Sequence, residues 1–267
     1  MKKIFFLTLL PLFSLVFFGC SPKAQFHTFG EWIGFAKDIK VSLTDTNEQH
    51  TVIVPGYGAP VKGNVGYEGY IKKVVAYVTD EQNGVDAVVF TGSYSSLKDT
   101  SEAESMNAYF NSIVDTKQLL DRGVRIYKEE CAIVSWQNID NSQELLTQAK
   151  ITPDKITVFG DINREDKLVA FANVAFNKNK DLPNTAAELV NKSLVTTVDF
   201  YGYDFGGASE DEQKRNAKFA AEIAGATNPE IGNQILQARI NEWTQEFGYD
   251  VAANVVAKGC SEYAGFQ

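Results

Sequence analysis

The stretch Asp86-Ala87-Val88-Val89-Phe90-Thr91-Gly92-Ser93 decides the fold. From Ala87 to Thr91 it is apolar or β-branched without alternation, as a parallel strand covered on both faces is, and it ends where glycine lets the backbone turn. Upstream, Thr51-Val52-Ile53-Val54 is a second strand of the same kind, closed by Pro55-Gly56-Tyr57-Gly58. Between them, Tyr67, Ile71, Val74, Val75 and Val78 recur at helical spacing up to Thr79, followed by the turn Gln82-Asn83-Gly84. Downstream, Ser101 to Arg122 predicts one long helix, with Ser101 suited to its start and Gly123 just past its end. Val124 to Tyr127 is a third strand, Asn138 to Lys150 a helix, Ile156 to Gly160 a fourth strand and Arg164 to Asn177 a helix. Leu194 to Tyr203 carries the fifth strand. Strands separated by helices require crossover connections, so the fold class is α/β: a three-layer α/β/α Rossmann-like sandwich with a mainly parallel sheet.

Beyond Ser209 the pattern turns helical. Ser209–Gly225 and Pro229–Gly248 are expected as extra C-terminal helices, with Ile231, Ile235, Ile240, Trp243 and Phe247 forming a core stripe rather than a ligand box. No repeat or long linker interrupts the chain, which predicts a single domain over residues 26–267 with its core at about 50–205.

Composition narrows the function. The chain has 267 residues, 25 Lys+Arg against 34 Asp+Glu and a net charge of −9, which disfavours nucleic acid as a partner. Only His27 and His50 are available as imidazoles, and no paired Cys-x-x-C occurs, so no metal site is expected.

The first residues read as an address. Met1-Lys2-Lys3 precedes an apolar run from Ile4 to Phe18 and then Gly19-Cys20. A basic start, a run too short to span a bilayer as a permanent helix and a small residue before the break describe a secretory signal over residues 1–19. The cysteine after Gly19 makes it resemble a bacterial lipoprotein signal, with Cys20 lipidated (palmitate among its chains) and residues 20–25 as a tether. Removing Lys2 and Lys3 takes the charge from −9 to −11, so attachment must come from acyl chains rather than from lipid headgroups. The expected location is the cell envelope, lipid-anchored and facing the periplasm, at the outer membrane. In that oxidising compartment Cys131 and Cys260 are candidate disulfide partners, with a buried residue and a free surface thiol as the alternative.

In an open parallel sheet, ligands bind beyond the carboxyl ends of the strands. Gly56 and Gly58 follow the first strand, Gly92 and Ser93 the second, Glu129 and Glu130 the third, and Gly160, Asp161 and Asn163 the fourth. These segments are expected to share one rim. Gly56-Tyr57-Gly58 lacks the third glycine of a dinucleotide fingerprint, and no Walker lysine pattern occurs. Gly92-Ser93-Tyr94-Ser95-Ser96 is not a nucleophile elbow, and no histidine lies downstream to activate a serine.

Read in order, several segments resemble the DUF218 family, also called YdcF-like, which includes the SanA and ElyC envelope proteins. They are the turn Val54 to Gly58, the strand running into Gly92-Ser93, the helix start Ser101-Glu102-Ala103 with Met106, and Arg122-Gly123-Val124. Glu130, Ser135, Asn138, Asp140 and Asn141 fit the family's Glu–Ser–Thr–Glu–Asn pattern, with Asn for Thr and Asp for Glu. Members carry a histidine after the fourth strand, where this chain has Asn163. The resemblance implies a role in envelope biogenesis or integrity through a small polar ligand, cell-wall or nucleotide-like, bound at the strand ends. On that basis Glu102, Glu130 and Asp140 are candidate acid/base groups. Gly56, Gly58, Gly92, Ser93, Ser135, Asn138, Asn141, Asp161 and Asn163 are candidate ligand contacts. No cofactor is assigned. The alternative is a hydrolase or transferase acting on an envelope precursor through the acidic cluster, and enzyme status stays open between the two.

Overall fold

The computed structural model describes residues 49–58, 65–94, 96–177, 196–206 and 212–260. The signal, the Cys20 lipidation site and the tether lie outside the described residues. Five strands form one sheet: β1 His50–Pro55, β2 Val85–Thr91, β3 Arg125–Glu129, β4 Lys155–Asp161 and β5 Thr197–Tyr203. Their order is β3-β2-β1-β4-β5, and every neighbouring pair is parallel. The helices are α1 Val65–Thr79, α2 Glu102–Ile113, α3 Thr116–Asp121, α4 Ser135–Gln148, α5 Glu165–Asn177, α6 Glu212–Thr227, α7 Pro229–Phe247 and α8 Val251–Ala257.

Alternation along the strands explains the three layers. Val52 and Val54 of β1, Val88 and Phe90 of β2 and Phe159 of β4 pack on Tyr70, Ile71, Met106 and Phe110 of α1 and α2. The intervening Ile53, Ile156 and Val158 turn to the other face, against Ile139 of α4, Phe171 of α5 and Ile240 of α7. Both faces are covered, so nearly every strand residue in the middle of the sheet is apolar. The expected α/β/α sandwich is the one observed.

Some boundaries differ. The single helix expected from Ser101 to Arg122 is two, α2 and α3. Val114 is extended at the break (φ −120°, ψ 147°), and Asp115 caps α3 by accepting from the Gln118 N–H. The helix expected from Asn138 starts earlier, as α4 at Ser135, with Val134 at its cap position and the Gln137 side chain accepting from the Ile133 and Val134 N–H groups. Ile235, Ile240, Trp243 and Phe247 of the stripe expected on α7 pack in the core, with Leu236 added to them, whereas Ile231 does not join that cluster.

His50 opens β1 at the end of the sheet away from the strand carboxyl termini. Its Nδ1 lies 2.6 Å from the Asn83 carbonyl and its Nε2 2.8 Å from Thr157 Oγ. Burial lowers its pKa, so the ring is a neutral structural link, donating to Asn83 and accepting from Thr157. Among the described residues, no helix is long and apolar enough to cross a membrane.

Candidate functional site

The sheet order reverses direction at β1. Chain connections move from β1 through β2 to β3 on one side, then return to β4 and β5 on the other. The crevice beyond the carboxyl ends of β1 and β4 is therefore the topological switch point, where open α/β sheets place ligands. Gly56 to Gly58 leave β1 there, and Asp161 to Arg164 leave β4.

Glu102, the first residue of α2, reaches back over this end of the sheet. A Cβ on Gly56 would sit 1.8 Å from Glu102 Oε2, and one on Gly92 would sit 2.9 Å from Glu102 Cβ. Gly92 also has φ +145°, a conformation that side chains rarely adopt. Glycine at both positions is thus what lets the carboxyl lie against the backbone leaving β1 and β2. The Ser96 hydroxyl donates to Glu102 Oε1 (2.6 Å), and the Gly58 N–H donates to the same carboxylate. Glu102 is 7% exposed, and burial outweighs these donors and the nearby Arg164 charge to push its pKa to about 7.

On the other side of the crevice the Tyr57 hydroxyl donates to Asp161 Oδ2 (2.5 Å). Asp161 also accepts from the N–H and the side-chain amide of Asn163. The Arg164 guanidinium lies 4.2 Å over the Tyr57 ring, whose opposite face stacks on Phe205 at 4.4 Å. Burial and the Asp161 hydrogen bond raise the Tyr57 pKa above the usual tyrosine value.

The remaining expected residues fall into two neighbouring groups. Glu130 accepts from the hydroxyls of Ser101 (2.7 Å) and Tyr94 (3.3 Å), which anchors the start of α2 to the end of β3. Glu129 forms a buried knot beneath the rim. It accepts from Thr91 Oγ (2.6 Å), the N–H groups of Cys131 and Ala132, and the Asn141 side chain (3.1 Å), while Asn138 Oδ1 lies 3.0 Å from Thr91 Oγ. Asn138 and Asn141 therefore serve the interior, and Glu129 rather than Glu130 is the acid that Asn141 meets. Asp140 is exposed on α4 and falls off the helix face that meets this knot, although desolvation around its carboxyl raises the pKa to about 6. It joins neither the knot nor the Glu102 group. Ser135 sits half-buried in the first turn of α4. Ser93 is fully buried, with its backbone bonded to Ala132 and Glu102 and its hydroxyl unpaired among the described residues.

No family model, no curated protein and no solved structure matches the chain. Arg164, Tyr57 and Ser96 are the site groups that the sequence did not single out. No spacing rule links them to Glu102, because only the parallel crossover brings them to one crevice.

Tyr249 and α8 reach the segment that follows β2. The Tyr249 hydroxyl donates to the Tyr94 carbonyl (3.0 Å), and the Asn254 side chain donates to the Lys98 carbonyl (3.1 Å). Cys131 and Cys260 are joined by a disulfide with Cα atoms 5.3 Å apart, tying the loop after β3 to the residues after α8. Among the described residues, no group of three or more His, Cys, Asp and Glu side chains is placed to hold a metal ion.

Proposed function

We propose that this chain is an exported, membrane-anchored envelope protein of the DUF218 (YdcF-like) type that binds a small polar ligand in the β1/β4 crevice and acts in envelope biogenesis or integrity. The observation that carries the reading is the Glu102 carboxyl laid between Gly56 and Gly92 at the switch point. Its support from the sequence is that the residues of the resemblance, the glycine turn, Gly92-Ser93 and Ser101-Glu102-Ala103, are the ones that meet there. The lipoprotein-like start supports the envelope location, and the Cys131–Cys260 bridge is of the kind an oxidising compartment sustains.

A second reading, a hydrolase or transferase working on an envelope precursor, is favoured by one observation. A carboxyl with its pKa at about 7 is half-ionised near neutrality and can take or give a proton. Glu102 is the general acid or base in that reading.

Two measurements test the binding reading. The full chain, purified in detergent, is screened by thermal shift against cell-wall precursors and nucleotides, since a ligand bound only by the native state raises the apparent Tm. A strain lacking the protein is complemented with Glu102→Gln and Tyr57→Phe. Loss of envelope resistance with folded variants is the expected result; full complementation by both sinks the crevice as the functional site.

A further inference from the structure

Arg164 is held, with its guanidinium hydrogen-bonded to Tyr57 and near enough to Glu102 to favour that carboxylate. It forms no ion pair among the described residues, whereas Lys167, three residues on, lies 2.8 Å from Glu222 Oε2. The Asp161 carboxylate, three residues earlier on the same turn, accepts from Tyr57 and from both nitrogens of Asn163 and forms no salt bridge with Arg164. Glu165 and Asp166, the next acids along the chain, are exposed on α5. Arg164 is also restrained from moving. Phe205, Tyr57 and the guanidinium form a three-layer stack, and the Tyr57 ring at its centre is pinned by its hydroxyl to Asp161. A guanidinium restrained in this way has lost much of its rotamer freedom before any ligand arrives, so pairing costs less. It keeps a planar fork of donors that matches the geometry of carboxylate or phosphate oxygens.

We propose that Arg164 is the anion-recognition residue of the β1/β4 crevice, so that the ligand carries an oxyanion, a phosphate or a carboxylate, seated on its guanidinium. The proposal rests on the crevice reading above and narrows it to one chemical class. The oxyanion binds edge-on to the fork, beside Tyr57 rather than in front of its faces, because Phe205 and Arg164 cover both. The uncharged part of the ligand then extends across the mouth of β1 toward Gly58 and Ser96.

The test is a thermal-shift titration of the full chain in detergent at constant ionic strength set with chloride. The probes are inorganic phosphate, pyrophosphate and acetate, with glucose and N-acetylglucosamine as neutral polar compounds. Phosphate and acetate separate the two oxyanion sources. The expected result is stabilisation by at least one oxyanion, weakened about 10- to 100-fold in apparent Kd by Arg164→Gln, the loss expected for a charge-assisted hydrogen bond. Arg164→Lys, which keeps the charge but not the fork, should fall between. Arg239→Gln, which removes a surface charge on α7, should leave the titration unchanged. Equal stabilisation of wild type and Arg164→Gln overturns the proposal, as does stabilisation by the neutral probes alone; in that last case the crevice reading survives. If no probe of either kind stabilises the wild type and Glu102→Gln and Tyr57→Phe both complement in the cell, both readings fall together.

Discussion

Glu102→Gln should stabilise the protein at alkaline pH and do little at acid pH. A carboxyl whose folded pKa is raised makes the charged form unfavourable in the native state. Its contribution is therefore fully present below the unfolded pKa and is lost as pH rises through the folded one. Here the two values are 4.5 and about 7. Linkage between them penalises the wild type by about 1 kcal/mol at pH 5 and about 3 kcal/mol at pH 8, so most of the loss falls between those two conditions. The residue is 7% exposed, so solvent screening removes little of this. The amide introduced by Glu102→Gln has the shape of the neutral acid and keeps an oxygen for Ser96 and Gly58, so the variant's stability should not follow this curve. Urea unfolding of both proteins at pH 5, 6, 7 and 8 measures the gap directly, with the other titrating groups cancelling in the difference. The gap should widen with pH, and at pH 8 the variant's Tm should exceed that of the wild type by roughly 5–10 °C for a chain of this size. A gap that stays flat, or that favours the wild type more as pH rises, refutes the burial argument and with it the acid/base role of Glu102.

Gly56→Ala should destabilise the protein by about 1–3 kcal/mol, because the new Cβ meets Glu102 Oε2 at 1.8 Å; pairing it with Glu102→Ala should recover at least about 1 kcal/mol in a double-mutant cycle. The disulfide closes a loop with a sequence separation of 129, for which chain entropy gives about 5 kcal/mol as an upper figure. Cys131→Ser with Cys260→Ser should lower the urea midpoint, and mass spectrometry without reductant should find the wild-type thiols joined. Lys167 and Glu222 form a buried pair with side chains 13% and 10% exposed. Lys167→Ala should cost about 3–5 kcal/mol, whereas Lys167→Met with Glu222→Leu should be close to neutral, as denaturation of the three proteins would measure.

Much of the fold was legible because burial on both faces leaves a plain mark. The runs at Val52–Val54, Val88–Phe90 and Ile156–Phe159 are apolar or β-branched at successive residues, a pattern that few other environments impose. The break in the helix after Ile113 is masked in the sequence by helical spacing that continues across it, and the decisive signal is local: Asp115 followed by Thr116 is a cap. The confusion of Glu129 with Glu130 has a similar origin. Glu129 ends β3 and Glu130 follows it, but Thr91 pairs in register with Glu129, and residues paired across parallel strands point to the same side. Glu129 therefore turns toward Thr91 and α4, while Glu130 is rotated outward to Ser101. On α4, Asn138, Asn141, Ser142 and Leu145 share one buried face at helical spacing, and Asp140 falls off it. That distinction is readable from the burial spacing along the helix. The pairing of Tyr57 with Asp161 and Arg164 was not readable, because it depends on β4 returning to lie beside β1.

The position of Glu102 sets two tendencies against each other, and their balance explains why the site suits a charged ligand. The start of a helix favours a carboxylate by roughly 0.3–1 kcal/mol, and Ser96, Gly58 and Arg164 favour it further. All of these act to lower the pKa, yet burial against Gly56 and Gly92 raises it to about 7. Three more titratable groups share that surrounding: Tyr67 from α1, Tyr249 after α7, and Arg164 after β4. Two are neutral phenols, so the guanidinium is the only one of the three that supports the carboxylate charge. An oxyanion on Arg164 would remove that support and hold Glu102 in its neutral, proton-donating form. Selection for an anion and retention of a proton on Glu102 are then one property of the crevice rather than two, because both follow from a single restrained cation facing a carboxyl that the glycines allow to be buried.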